Sequence, residues 1–105
     1  MSIEVQLADL AEEVARRQAG YLITAQADRR PHVMQSVFEI ENATLRTSTG
    51  RSGTANIQAN PLVTLMWSPT AASDYSLIVD GEATASASGE VEIEAKSAVL
   101  HRRAG

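Results

Sequence analysis

From Tyr21 to Glu94 the chain runs through short apolar segments of period two, each stopped by turn-forming residues. Such a pattern points to antiparallel strands joined in hairpin succession. Tyr21 to Gln26 is the first strand. Asp28-Arg29-Arg30-Pro31 turns it, because Asp suits the start of a turn and Pro cannot extend a ladder. His32 to Ile40 is the second, with Val33, Gln35, Val37 and Glu39 alternating against Met34, Ser36, Phe38 and Ile40. Glu41-Asn42-Ala43 leads into a third strand, Thr44 to Ser48, and Leu62 to Trp67 is a strongly apolar fourth. Tyr75 to Ser86 is a long fifth strand, interrupted at Asp80-Gly81, where a bulge lets it bend. Ala87-Ser88-Gly89 turns the chain into a sixth, Glu90 to Glu94, which alternates with one wet face.

Two segments break this period. Leu7, Leu10, Ala11, Val14 and Ala15 follow the spacing i, i+3, i+4, i+7 and predict an amphipathic helix over about residues 5–18, stopped at Gly20. Glu12–Arg16 and Glu13–Arg17 are acid-first pairs four apart, which support it. Thr54 to Ala59 predicts a short crossing helix, ended by Asn60-Pro61. The expected fold is mainly β: six antiparallel strands in a closed or nearly closed barrel, with an N-terminal covering helix and a short crossing helix. Closure removes exposed edges. The 105 residues make one domain, 1–105, with about 1–4 and 102–105 frayed and Ala98-Val99-Leu100 docking apolar side chains. A chain this short buries a modest share of its surface, which favours pairing as a homodimer.

Net charge of −4 argues against a nucleic-acid partner, which requires a basic footprint. The arginine pairs Arg16-Arg17, Arg29-Arg30 and Arg102-Arg103 are dispersed and read as solvated surface charge. No cysteine is present, so disulfides, thiolate catalysis, iron–sulfur clusters and Cys-based zinc sites are excluded. His32 and His101 lie far apart without metal-ligand spacing. Neither a signal peptide nor a bilayer-spanning run is visible, which makes a cytoplasmic location, without membrane partners, the expectation.

Thr49-Gly50-Arg51-Ser52-Gly53 is the most chemical segment. Ser and Gly let backbone N–H groups approach an anion, and the start of the following helix leaves unpaired N–H groups. Arg51 can add a forked, charged contact, and Ser52 and Thr54 can donate hydroxyls. The same residues also suit a plain hairpin-to-helix turn in which Ser52 or Thr54 is the N-cap.

The order of helix, hairpin with Arg30-Pro31-His32-Val33, strand ending Thr47-Ser48, loop Gly50-Arg51-Ser52-Gly53, Asn56-Ile57 and Asn60-Pro61-Leu62-Val63-Thr64-Leu65 resembles the pyridoxamine 5′-phosphate oxidase superfamily. Tyr75 to Ala83 is similar to a later strand of that family, so the match runs from about residue 7 to about residue 86. The resemblance implies a split barrel that forms a homodimer, with flavin mononucleotide (FMN) sites at the dimer interface and redox chemistry done by the flavin ring. Other members of the family use deazaflavin, bind haem or have no demonstrated cofactor. Carried onto this chain, the resemblance places Gln35, Ser36, Val37, Thr47 and Ser48 beside the ring and Arg51, Ser52 and Thr54 at the phosphate. Trp67 and Tyr75 would stack on a ring or line the substrate mouth, or else serve as core or interface aromatics. His32 is a candidate for proton transfer or a surface residue.

Two positions depart from the family. Gly53 stands where a lysine is frequent, and Met34 where the oxidases proper carry an arginine. These losses, and the lack of a counterpart to the family's C-terminal substrate segment, argue against true pyridoxamine 5′-phosphate oxidase activity. The expected function is a flavin- or deazaflavin-dependent oxidoreductase acting on a small molecule. The alternatives are a cofactor-free or ligand-sensing module, favoured by Met34 and Gly53, and haem handling through His32 and His101.

Overall fold

Among the described residues eight strands form one antiparallel sheet, and its two end strands are consecutive in the chain. The computed structural model describes residues 2–71 and 73–103. In chain order the elements are β1 (Ser2–Val5), a 3₁₀ turn (Leu7–Asp9), α1 (Leu10–Ala15), β2 (Gly20–Ala25), β3 (Pro31–Ser36), β4 (Glu39–Glu41), β5 (Thr44–Ser48), α2 (Arg51–Ala59), β6 (Leu62–Trp67), β7 (Ser76–Ala85) and β8 (Glu90–His101). The sheet order is β3-β2-β6-β7-β8-β5-β4, with β1 beside β8. Strands β3 and β4 end the sheet on opposite sides, yet only Val37 and Phe38 separate them in sequence. The sheet must therefore curl until its ends nearly meet, leaving a split between β3 and the β4–β5 pair.

The strand count is eight where six were expected, and both additions have a physical cause. The second predicted strand breaks at Val37-Phe38, because Phe38 turns inward and packs on Trp67 with ring centroids 5.2 Å apart. Ser2–Val5, expected to fray or to begin the helix, instead pairs with Ala98–His101. That leaves α1 shorter than predicted, with Leu10 and Val14 buried four residues apart.

Strand β8 holds the molecule together. One of its edges pairs with β7 from Val91 to His101. The other pairs with β5 over Glu90–Glu94 and then with β1 over Ala98–His101. The sixth predicted strand is thus extended through the segment expected only to dock apolar side chains. The register shifts where Asp80 pairs with Ser97 but Gly81 with Ala95, so the extra residue of the bulge is Lys96 on β8. Gly81 fits opposite the bulge because a Cβ there would lie 2.8 Å from the Glu94 carbonyl oxygen and from Ile93 Cγ2. Alternation resets across it: Val91, Ile93 and Ala95 are buried before the bulge and Ala98 after it.

The inner face of the barrel holds Leu22, Leu45, Val63, Leu65, Trp67, Leu77, Val79 and Ile93, closed by Leu10 and Val14 from α1 and Ile57 from α2. Helix α2 is tied to β2 by Asn56 Nδ2, which donates to Thr24 Oγ1 at 3.1 Å. One arginine is misread as surface charge. The Arg17 side chain is 2% exposed, and its Nη1 donates to the Tyr75 carbonyl at 2.9 Å and the Ser68 carbonyl at 3.3 Å. Its neighbour Arg16 is exposed and reaches Glu12 and Glu13. Arg102 is not loose either: it lies 4.9 Å from the Tyr75 ring centre and 3.5 Å from Asp74.

Candidate functional site

The split in the barrel is the groove. Along it β3 and β5 lack backbone pairing, and side chains bridge instead. Thr47 Oγ1 donates to the Val37 carbonyl at 3.0 Å, and Thr49 Oγ1 donates to Met34 Sδ at 3.4 Å. Between these bridges lies a cavity of about 400 Å³ lined by Met34 to Val37 and Thr47 to Gly50. It shares Thr49 and Gly50 with a second cavity of about 480 Å³, which Arg51, Thr54 and Gln58 also line. In the other direction it shares Val37, Thr47 and Ser48 with a wider cleft of about 910 Å³ bearing Glu39, Arg46, Glu90 and Glu92. Through these shared residues the three cavities adjoin one another along the split, and together they are called the groove.

Its narrow end is the start of α2, which begins at Arg51, earlier than expected. The N-cap is Gly50, without a side-chain capping bond, so neither Ser52 nor Thr54 caps the helix. The first-turn N–H groups therefore keep the partial positive charge of a helix start. The Thr54 hydroxyl donates back to the Gly50 carbonyl at 2.9 Å. Arg51 is exposed beside the opening, and an anion would meet both it and the helix start.

The predicted residues divide accordingly. Gln35, Ser36, Thr47 and Ser48 line the middle of the groove; Ser36 faces inward and is buried, while Gln35 faces outward from the same edge strand. Arg51 and Thr54 line the narrow end, whereas Ser52 lines neither. Trp67 belongs to the core: it is 1% exposed beneath Phe38, and so cannot stack on a ligand. Tyr75 sits under Arg102, outside the groove. His32 lines none of the three cavities, and His101 ends β8 with Nδ1 3.3 Å from Ser2 Oγ. Thr49 and the wide-cleft residues Glu39, Arg46, Glu90 and Glu92 were not anticipated. Arg46 and Glu92 form an ion pair at 3.3 Å. Among the described residues no group of His, Asp or Glu is arranged to hold a metal ion, and no helix is long and apolar enough to cross a membrane.

No protein-family model and no curated protein matches the chain. Solved structures do. A Listeria innocua protein provisionally named a pyridoxamine 5′-phosphate oxidase superposes with a TM-score of 0.73 at 20% identity, over 90% of this chain and 98% of the other. A FAD-binding protein of Mesorhizobium loti gives 0.74 at 13% identity over 98% of both chains. An F420 reductase gives 0.66 at 21% identity, over 88% of this chain and 96% of its own. The chain thus has the split β-barrel fold of pyridoxamine 5′-phosphate oxidase-like proteins.

Proposed function

We propose that the chain binds a flavin or deazaflavin nucleotide, FMN in the first instance, along the barrel split and acts as an oxidoreductase on a small molecule entering the wide cleft. The observation that carries this reading is the continuous groove between β3 and β5, ending at the Arg51 side of α2. Similarity to a FAD-binding protein and an F420 reductase supports it. The fit can be weighed on the groove itself. Its middle, with strand edges and small hydroxyl side chains, suits a planar ring held by backbone groups. Its narrow end offers one arginine and a helix start for an anion. When bound, a flavin supplies electron and hydride transfer. This chain's part would be to hold and orient the nucleotide: Gln35, Ser36, Thr47 and Ser48 at the ring, Arg51 and Thr54 at the anion.

The reading includes a homodimer. On the outer face, Tyr21, Met66 and Ile78 stand in one cross-strand row, and Ile23 and Val33 in the next. Val33 is 56% exposed and Leu62, on the same face, 62%. Exposed apolar side chains grouped on one face in this way favour a second subunit over water. The cytoplasm suits such an enzyme.

The test is a titration of the purified chain with FMN and riboflavin, followed by flavin fluorescence and absorbance. Saturable quenching with micromolar affinity is expected. A colourless preparation that quenches neither flavin would leave the alternative, a cofactor-free or ligand-sensing split barrel.

A further inference from the structure

The middle of the groove, between the two threonine bridges, is lined by no charged side chain. Its inward positions are Met34 and Ser36 on β3, with Thr47 and Thr49 alternating against exposed Arg46, Ser48 and Gly50 across the split. Thr49 closes the narrow side. Its N–H donates to the Gly89 carbonyl at 2.8 Å, and its hydroxyl to Met34 Sδ at 3.4 Å. Beyond it, a Cβ on Gly53 would lie 3.0 Å from the Thr49 Cβ, so position 53 has no space for a side chain while Thr49 holds this place. Thr49 is thus a wall with both donors used.

Ser36 differs. It is 8% exposed and lines this cavity, and among the described residues its hydroxyl has no hydrogen-bond partner. A hydroxyl withdrawn from most of its water and left unpaired is costly, and this one is open to an acceptor from outside the chain. The next residue, Val37, accepts the Thr47 hydroxyl on its carbonyl at 3.0 Å across the split. Both line the same cavity as Ser36. A carbonyl oxygen has two lone pairs and a hydroxyl rotates, so this pair can take a ligand donor and a ligand acceptor in place of each other. The Ser36 hydroxyl, the Val37 carbonyl and the Thr47 hydroxyl therefore offer a donor, an acceptor and a donor. Their complement is an N–H flanked by two carbonyls, which is the edge of a cyclic imide. Such an edge is neutral, as the uncharged lining requires, whereas an anion would meet the Val37 carbonyl with no proton to give it.

We propose that the middle of the groove recognises its ligand by a cyclic imide edge. The Ser36 hydroxyl donates to one imide carbonyl, the imide N–H donates to the Val37 carbonyl, and the Thr47 hydroxyl exchanges its bond across the split for one to the second imide carbonyl. Flavin and deazaflavin rings both end in such an imide, so the inference rests on the flavin reading above and states which end of the ring lies between the bridges. The bond between Thr47 and Val37 keeps donor and acceptor side by side before the ligand arrives.

The experiment compares riboflavin with 3-methylriboflavin, in which a methyl group replaces the imide proton, by fluorescence titration of the unmodified protein. Neither ligand has a phosphate, so the narrow end of the groove does not enter the comparison. The methylated ring is expected to bind about tenfold more weakly, having lost one hydrogen bond and set a methyl against the Val37 carbonyl. Ser36→Ala should weaken riboflavin about three- to tenfold. Its thermal melt without ligand should be no lower than that of the parent, because the free protein loses no hydrogen bond; a serine with a merely structural role would lower it. Thr47→Val should weaken riboflavin to a similar degree, and Thr47→Ser, which keeps the hydroxyl, should restore it. The unmodified protein decides the question even if a variant does not fold. Equal binding of riboflavin and 3-methylriboflavin, or binding of FMN without riboflavin, would overturn the proposal and leave the flavin reading standing. Riboflavin binding unchanged by Ser36→Ala would overturn it equally. Binding of none of the three flavins would overturn both.

Discussion

Arg16 and Arg17 are adjacent and identical, yet one is solvated and the other is 2% exposed with two carbonyls to satisfy. Replacing Arg17 by Ala should cost about 1.5–3 kcal/mol, because the hydrogen bonds from a charged, buried donor to the Ser68 and Tyr75 carbonyls are lost. Arg16→Ala should cost under about 1 kcal/mol, as its ion pairs with Glu12 and Glu13 involve a largely exposed guanidinium. Urea unfolding of the two variants separates them, and equal midpoints would refute the distinction. Helical spacing could not reveal it: the partners of Arg17 lie 51 and 58 residues away, on a loop with no periodic signal. Arg51 was more legible, since a Gly/Ser loop opening a helix carries its own chemistry. Arg51→Ala should weaken a phosphorylated flavin by about 1.5–3 kcal/mol, ten- to a hundredfold, and leave riboflavin unchanged. Equal losses for both ligands would indicate general damage rather than an anion contact. Thr49, by contrast, looked like one more small polar residue, and only its packing between Met34 and Gly53 gives it a role.

Where a strand pairs with its sequence neighbours, the two-residue period located it well: β5 and β6 match the expected bounds and β2 starts one residue early. The misses lie where pairing is long-range. Strand β1 exists because β8 overruns β5 and leaves an edge free over Ala98–His101, which nothing local to Ser2–Val5 announces. Strands β3 and β4 part at Phe38 for a core partner, Trp67, that lies 29 residues on. The bulge was expected at Asp80-Gly81, and the register shift is there, but the inserted residue is across the ladder. This assigns Lys96 a geometric task distinct from its side chain. Lys96→Ala should alter stability by no more than about 0.5 kcal/mol, because its contact with Glu94 is exposed. Deleting Lys96 removes the bulge, and either β1 and the first half of β7, Ser76–Asp80, lose register or Ala98 turns outward. Since a one-residue slip moves every side chain to the opposite face, the deletion should cost about 3 kcal/mol or more. Thermal melts showing the deletion as mild as the substitution would contradict this account of β8.

At the scale of the molecule, the curled sheet has two unlike surfaces left after the core is filled: the groove at the split, and the apolar outer face of β3, β2, β6 and β7. The groove is polar enough to stand in water. The outer face carries Tyr21, Ile23, Val33, Leu62, Met66 and Ile78, with Thr64 hydrogen-bonded to Asp80 beside Ile23, and Arg29, Glu82 and Lys96 lining the same cavity as Leu62. The parent chain should therefore sediment as a dimer at micromolar concentration. The double variant Val33→Asp/Leu62→Asp should be monomeric, since charges at the centre of an interface keep their water only when the subunits separate. Both positions point away from the core, so far-ultraviolet circular dichroism of the variant should remain that of a folded β protein. A monomeric parent would refute the dimer directly. If instead the variant dissociates and still binds flavin as the parent does, the groove is complete within one subunit. If dissociation abolishes binding of both FMN and riboflavin, the second subunit completes the ring end of the site, because loss of a phosphate contact alone would spare riboflavin.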